Sequence, residues 1–191
     1  MVEVKVVYLR EVRWHGRGGQ GAWTASELLA RAAIQEGKYI QSFPEFGPER
    51  MGAPVNAFTR ISDEPINLHC AIYSPDVVAV LDPTLLKTVP VTEGLKKDGV
   101  LVINTRETPA QLAKQLNFPR QQLRTILATD IAVEILGIPI TNTAMLGAVA
   151  KAAEIVKLNS IREAVKERFP PKIAERNIKI VERAYNEVKS G

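Results

Sequence analysis

Seven consecutive residues, His15-Gly16-Arg17-Gly18-Gly19-Gln20-Gly21, place three glycines at G-x-G-x-x-G spacing between a strand-like run and a helix-like run. The chemistry such a turn can do is to hold an anion. Glycines without a Cβ accept positive φ and let the backbone approach a phosphate closely. A helix beginning near Ala22 would add free N–H groups and the positive end of its dipole. The spacing predicts that Gly16, Gly18 and Gly21 form the strand-to-helix turn. The same pattern also fits a backbone contact with a partner, or a tight turn that only packs helix on strand. A dinucleotide fingerprint further needs an acid about 20 residues on, at the end of the next strand. Glu36 has that spacing but precedes Gly37 at a predicted helix end, while the next strand candidate, 39–43, finishes at Pro44. A phosphate or carboxylate cradle, or a partner contact, therefore fits better than a nicotinamide site.

A second unusual stretch runs from Ser42 to Pro54 and holds Phe46, Gly47, Pro48, Glu49, Arg50, Met51 and Gly52. Its prolines and glycines exclude an ordinary helix or central strand. Phe43, Phe46 and Met51 make it too apolar for an idle linker, so it reads either as a binding loop or as a loop folded over its own core.

The elements around these loops read as an α/β domain. Glu11-Val12-Arg13-Trp14 alternates as a strand does, and 22–34 has the helical period with Leu28, Leu29, Ala32 and Ala33 on one side. Residues 55–61 and 66–72 read as a hairpin around Ser62-Asp63-Glu64-Pro65. The apolar runs 77–81 and 100–103 have the character of inner parallel strands, with short helical segments between them over 84–97. Thr108-Pro109 predicts a capped helix to Leu116, and 123–128 a further strand. Asn142 and Thr143 are candidate caps for a helix over 144–156, in which Gly147 permits close packing. Helix 161–169 follows, and after Pro170-Pro171 a long helix carries the stripe Ile173, Ile180, Val181, Ala184, Tyr185 and Val188. The expected fold is a Rossmann-like open sheet, mostly parallel with an antiparallel hairpin, with helices on both faces and a helical C-terminal part over 142–191.

Bulk properties narrow the function. The 191 residues, 46% hydrophobic, suit a single domain over 1–191. No apolar run has membrane-spanning length and residues 1–10 lack a signal-peptide core, which predicts a soluble cytoplasmic chain. The net charge of +4 resides entirely in residues 151–191, with ten Lys or Arg against six Asp or Glu. Charges of both signs alternate there without an aromatic platform, which reads as a solvated helix face and not a nucleic-acid site. Cys70 is the only cysteine, so the chain forms no internal disulfide and no four-cysteine cluster. It reads as a buried thiol on a strand rather than as a metal ligand with His69.

Taken together, His15 to Gly21 and Phe46-Gly47-Pro48-Glu49-Arg50-Met51-Gly52-Ala53-Pro54 resemble the gamma subunits of 2-oxoacid:ferredoxin oxidoreductases, and the likeness extends across essentially the whole chain. The run from Met51 to Ile61 is most similar to the pyruvate branch. The resemblance implies an assembly of alpha, beta, gamma and ferredoxin-like delta subunits that converts pyruvate and coenzyme A to acetyl-CoA and carbon dioxide while ferredoxin is reduced, and that also runs in reverse. Thiamine diphosphate, Mg2+ and [4Fe-4S] clusters would then lie on the other subunits. This chain would bind no cofactor alone and would not be active alone. Gly16, Arg17, Gly18, Gly19, Gln20 and Gly21 would meet coenzyme A phosphates or a neighbouring subunit, Arg17 through its planar fork. Phe46 to Gly52 would be a second contact loop, with Glu49 and Arg50 as polar anchors. Two rival readings are a stand-alone NAD- or FAD-binding oxidoreductase, with Glu36 as its ribose acid, and a purely structural interaction subunit.

Overall fold

A computed structural model describes residues 8–45 and 51–191. Among these residues seven strands form one sheet in the order β2-β3-β1-β4-β5-β6-β7. They are β1 (Leu9–Arg17), β2 (Tyr39–Pro44), β3 (Pro54–Ser62), β4 (Val77–Val80), β5 (Val100–Asn104), β6 (Leu123–Ile126) and β7 (Lys189–Ser190). β1, β4, β5 and β6 run parallel. β3 is antiparallel to both β1 and β2, and the short β7 is antiparallel to β6.

Among the described residues six helices surround the sheet: α1 (Ala22–Gln35), α2 (Pro109–Leu116), α3 (Ala128–Leu136), α4 (Asn142–Ala153), α5 (Leu158–Arg168) and α6 (Pro171–Glu187). One face buries Val12, Trp14 and Val102 beneath α1, α4 and α6, with Leu28, Leu29, Val149 and Ile180 in the same core. On the other face Val78, Val80, Leu101 and Ile103 pack against Leu112 of α2 and Leu85 of a 3-10 turn, Pro83–Lys87. Strands β4 and β5 are thus apolar on both sides, as inner parallel strands are. Gly147 earns its place in α4 because a Cβ there would run into the Val181 carbonyl oxygen of α6. Thr108 and Gln111 form a reciprocal capping box at α2.

Several expectations need correction. The hairpin pairs β2 with β3, not 55–61 with 66–72. Both edges of β3 are taken, so 66–72 has no strand to join. It lies over the polar face instead, where Gln41 Nε2 donates to the carbonyls of Ile66 and Leu68 at 3.3 and 2.9 Å. Cys70 is consequently exposed, not buried on a strand. At α4 the N-cap is Thr141, while Asn142 and Thr143 are buried within the first turn. In α6 the buried stripe passes through Ala174 and Asn177, and Ile173 points to solvent. Helix α3 and strand β7 have no counterpart in the sequence reading; β7 returns the end of the chain from α6 to the sheet.

Candidate functional site

The glycine motif lies where β1 ends and α1 begins, at the carboxyl edge of the parallel strands. Open α/β sheets place their working loops at that edge. Gly16 is not part of the turn. The antiparallel partner β3 extends pairing through Gly16↔Val55 and Arg17↔Pro54, which draws His15, Gly16 and Arg17 into β1. Positive φ falls instead at Gly19 (93°) and Gly21 (78°). Gly21 is the N-cap of α1, and a Cβ on it would come within 2.6 Å of Asn142 Nδ2. Left-handed backbone and close approach of α4 both require glycine there.

The two loops singled out in the sequence meet directly. Gly18 bridges Met51, with Gly18 N donating to Ala53 O at 2.9 Å and Gly52 N to Gly18 O at 3.1 Å. Arg17 locks the junction. Its Nη1 donates to Gly52 O (3.0 Å), its Nε to Asp82 Oδ2 (3.1 Å) and its Nη2 to Thr84 Oγ1 (2.8 Å). Gln20 folds back to accept from Arg17 N (2.8 Å) and donates to Asp82 Oδ2 (2.9 Å). Asp82 Oδ1 accepts from Thr84 N and Oγ1, so the carboxylate takes four hydrogen bonds, the capacity of its two oxygens. Burial alone would raise the Asp82 pKa, but the bonds from Thr84 and Gln20 and the charge of Arg17 hold it below the usual carboxylate range. The protein's own carboxylate thus engages the cation and the amide side chain of the glycine motif. Phe46, Gly47, Pro48, Glu49 and Arg50 lie outside the described residues.

Exposed apolar side chains crown this clasp. Met51 is 93% exposed beside Gly19, and Trp23, in the first turn of α1, is 55% exposed. Below it β1 and β3 carry buried charge on the face away from α1. Arg13 donates to His15 Nε2 (3.0 Å) and to the carbonyls of Ile72, Val91 and Glu93. Burial pushes the His15 pKa down to about 4, and the neighbouring Arg13 cation adds to the effect, so the imidazole is neutral and accepts. Arg60, fully buried, pairs with Glu11 (2.9 Å) and donates to Gln41 Oε1 (3.0 Å). A groove of about 740 Å3 beside β2 is lined by Phe43, Phe58, Arg60 and Cys70 among others.

Asp82, Thr84, Asn142 and Trp23 are absent from the sequence reading of the site. Asp82-Pro83-Thr84 does carry a signal, an N-cap acid before a first-turn proline that closes a parallel strand. Glu36 sits at the far end of α1, roughly 21 Å along a 14-residue helix from the glycine turn, and accepts from Lys157 N at 2.7 Å. It cannot serve as the ribose acid of a dinucleotide site. Among the described residues no group of three or more His, Cys, Asp or Glu could hold a metal ion, and no helix is long and apolar enough to cross a membrane.

Sheet order, hairpin and clasp define an open α/β domain whose Rossmann-like glycine turn is neutralised from within and tied to a second loop. Residues 11–187 match the model of the pyruvate ferredoxin/flavodoxin oxidoreductase family. The chain belongs to that family, as a chain of the gamma type. It is 56% identical to the common gamma subunit of pyruvate/ketoisovalerate oxidoreductases from Thermococcus kodakarensis, over 92% of this chain and 95% of that one. It is 52% identical to the pyruvate synthase subunit PorC of Methanocaldococcus jannaschii, over 93% and 96% of the two chains. The crystal structure of the pyruvate oxidoreductase subunit PORC from Thermotoga maritima superposes with a TM-score of 0.85 at 43% identity, covering 95% of this chain and 97% of that one.

Proposed function

We propose that this chain serves, as the gamma subunit, in an assembly that oxidatively decarboxylates pyruvate. Pyruvate and coenzyme A give acetyl-CoA and carbon dioxide, two electrons pass singly to two ferredoxins, and the reaction also runs in reverse. The names of the relatives support the reaction. The observation that carries this chain's own part is the clasp: the Gly18–Met51 bridge, locked by Arg17 and Asp82, sets Trp23 and Met51 outward at the rim of the sheet. An exposed tryptophan at a helix start beside an exposed methionine on a tied-down loop has the make-up of a protein interface, where aromatic residues and methionine are enriched.

Thiamine diphosphate with Mg2+ and the [4Fe-4S] clusters belong, in this reading, to companion alpha, beta and delta chains; one cysteine cannot supply four thiolates. Four relatives, from Thermococcus and Pyrococcus, are described as a subunit common to pyruvate and ketoisovalerate oxidoreductases. We infer from this that the choice of 2-oxoacid is made outside this chain. Arg17 acts by holding the 51–53 loop: Nη1 donates to Gly52 O, while Nε and Nη2 anchor the side chain on Asp82 and Thr84. Of its N–H donors, only the second one on Nη1 and on Nη2 remains for a coenzyme A phosphate.

The test is copurification from the native host through a tag on this chain. Companion chains carrying thiamine diphosphate and iron–sulfur absorption are expected, and a homogeneous free monomer overturns the assignment. In the intact complex an Arg17→Ala variant should retain coenzyme A affinity within about threefold while assembling less well. A tenfold or greater loss of affinity with normal assembly would assign Arg17 to the phosphate instead.

A further inference from the structure

Away from the clasp, the start of α6 carries cations that the fold itself does not use. Arg162, Lys166, Arg168 and Arg183 of α5 and α6 each face a carboxylate. Lys172, Arg176 and Lys179, at i, i+4 and i+7 on α6, have no ion-pair partner among the described residues, and all three are exposed. Glu175 is the single acid interspersed with them. For Lys172 the position is also electrostatically unfavourable, since a cation in the first turn opposes the positive end of the dipole and that turn has no acid.

The same end of α6 displays apolar surface. Ile173 is 46% exposed, and its carbonyl accepts from Asn177 Nδ2 at 2.9 Å. Asn177 Oδ1 in turn accepts from Thr143 Oγ1 at 2.8 Å, which ties the start of α6 to the start of α4. Just before that start lie Ile138 and Ile140, 48% and 38% exposed. Single exposed isoleucines are ordinary; three flanking two helix starts that the Thr143–Asn177 bond joins, with a cationic stripe alongside, have the make-up of an interface core and its charged rim.

We infer that Ile138, Ile140 and Ile173, flanked by Lys172, Arg176 and Lys179, form a docking surface for a companion chain of the same assembly whose contact face is apolar at its centre and rich in carboxylates at its rim. Charge complementarity selects that occupant. Every surplus positive charge of this protein lies in residues 151–191, and the helix cations within that region left without internal partners include this stripe. An acidic partner would neutralise the stripe and offset the unfavourable field at the helix start. The inference rests on the proposed membership of a multisubunit complex and adds a second contact, separate from the clasp.

Zero-length carbodiimide cross-linking of the native complex, read by peptide mass spectrometry, tests it directly. Lys172 or Lys179 should link to an Asp or Glu of a companion chain. Links only to a second copy of this chain, or none at either lysine, overturn the inference. Tagged K172E/R176E/K179E and Ile173→Asp variants should each recover companion chains at least tenfold less well than wild type in native mass spectra. The triple reversal should leave the isolated chain folded with a Tm within a few degrees of wild type, because all three side chains are exposed and break no ion pair among the described residues, so lost assembly cannot be ascribed to unfolding. Wild-type stoichiometry in both variants overturns the inference. If Met51→Asp breaks assembly while these variants do not, the clasp reading stands and the α6 surface falls. If no companion chain accompanies the wild-type protein, both fall together.

Discussion

The two halves of the sheet bury their strands by opposite means. In β4 and β5 nearly every side chain is apolar and packed on both faces, with Val78, Val80, Leu101 and Ile103 on one side and Val77, Ala79 and Val102 on the other. In β1 and β3 one face is equally apolar, through Val12, Trp14, Ala57 and Ile61, but the other carries Arg13, His15 and Arg60 against Glu11 and backbone carbonyls. The apolar half tolerates small shifts because dispersion and hydrophobic terms are non-directional. The charged half does not, since each donor needs its acceptor in place. The half held by directional bonds is the one whose strand ends carry the clasp.

The sharpest way to break this contrast is Arg60→Ala, which strands Glu11 without its cation and should cost about 3–5 kcal/mol in urea unfolding. Replacing both partners, Arg60→Met with Glu11→Leu, should cost clearly less than the single change. If the double variant is the worse one, the network stabilises more than an apolar substitute could. In the parallel half Leu101→Ala should cost about 2–5 kcal/mol through lost burial and a cavity, with no pH dependence.

The pH profile separates the halves next. His15 has its folded pKa lowered from 6.5 to about 4, so the unfolded chain takes up the proton first as the solution is acidified. Stability should therefore be full above pH 6.5, decline between 6.5 and about 4 by roughly 3 kcal/mol, and be indifferent to this group below that. A His15→Gln variant should lose that slope. An unchanged slope in urea melts across the window would remove His15 as its source.

Smaller effects belong to the surface. Asp82→Asn should cost about 1 kcal/mol, its partners being partly exposed, and speed amide exchange at Gly18 and Gly52. Because the folded pKa of Asp82 is depressed, its contribution is present above the ordinary carboxylate range and fades as pH falls through the lowered value. Smallest of all, Lys172→Glu should stabilise the isolated chain by a few tenths of a kcal/mol.

Much of this was legible from local pattern. The helical period of 22–34 places Leu28, Leu29, Ala32 and Ala33 inside, and all four are buried. Thr108-Pro109 announces the capped start of α2, and Gly147 the close approach of α6. The hairpin was misread because 55–61 and 66–72 have equal strand character, and only the occupancy of both edges of β3 decides which of them pairs. Helix α3, capped by Leu127 with no side-chain hydrogen bond, lacks the start signal that marks α2, and the two-residue β7 is too short to show a period.

By itself, then, the order of residues determined most of the strands and helices, the apolar face of most of them, and that two glycine-bearing loops differ from ordinary turns. Periodicity, caps and backbone freedom are properties of neighbouring residues, and neighbours can be read. Tertiary structure alone decided that Gly18 meets Met51, that Asp82 engages Arg17, and that Arg13 is buried against carbonyls 59 to 80 residues away. Partners so distant in the chain are selected by sheet order and packing, for which a single sequence carries no local signal.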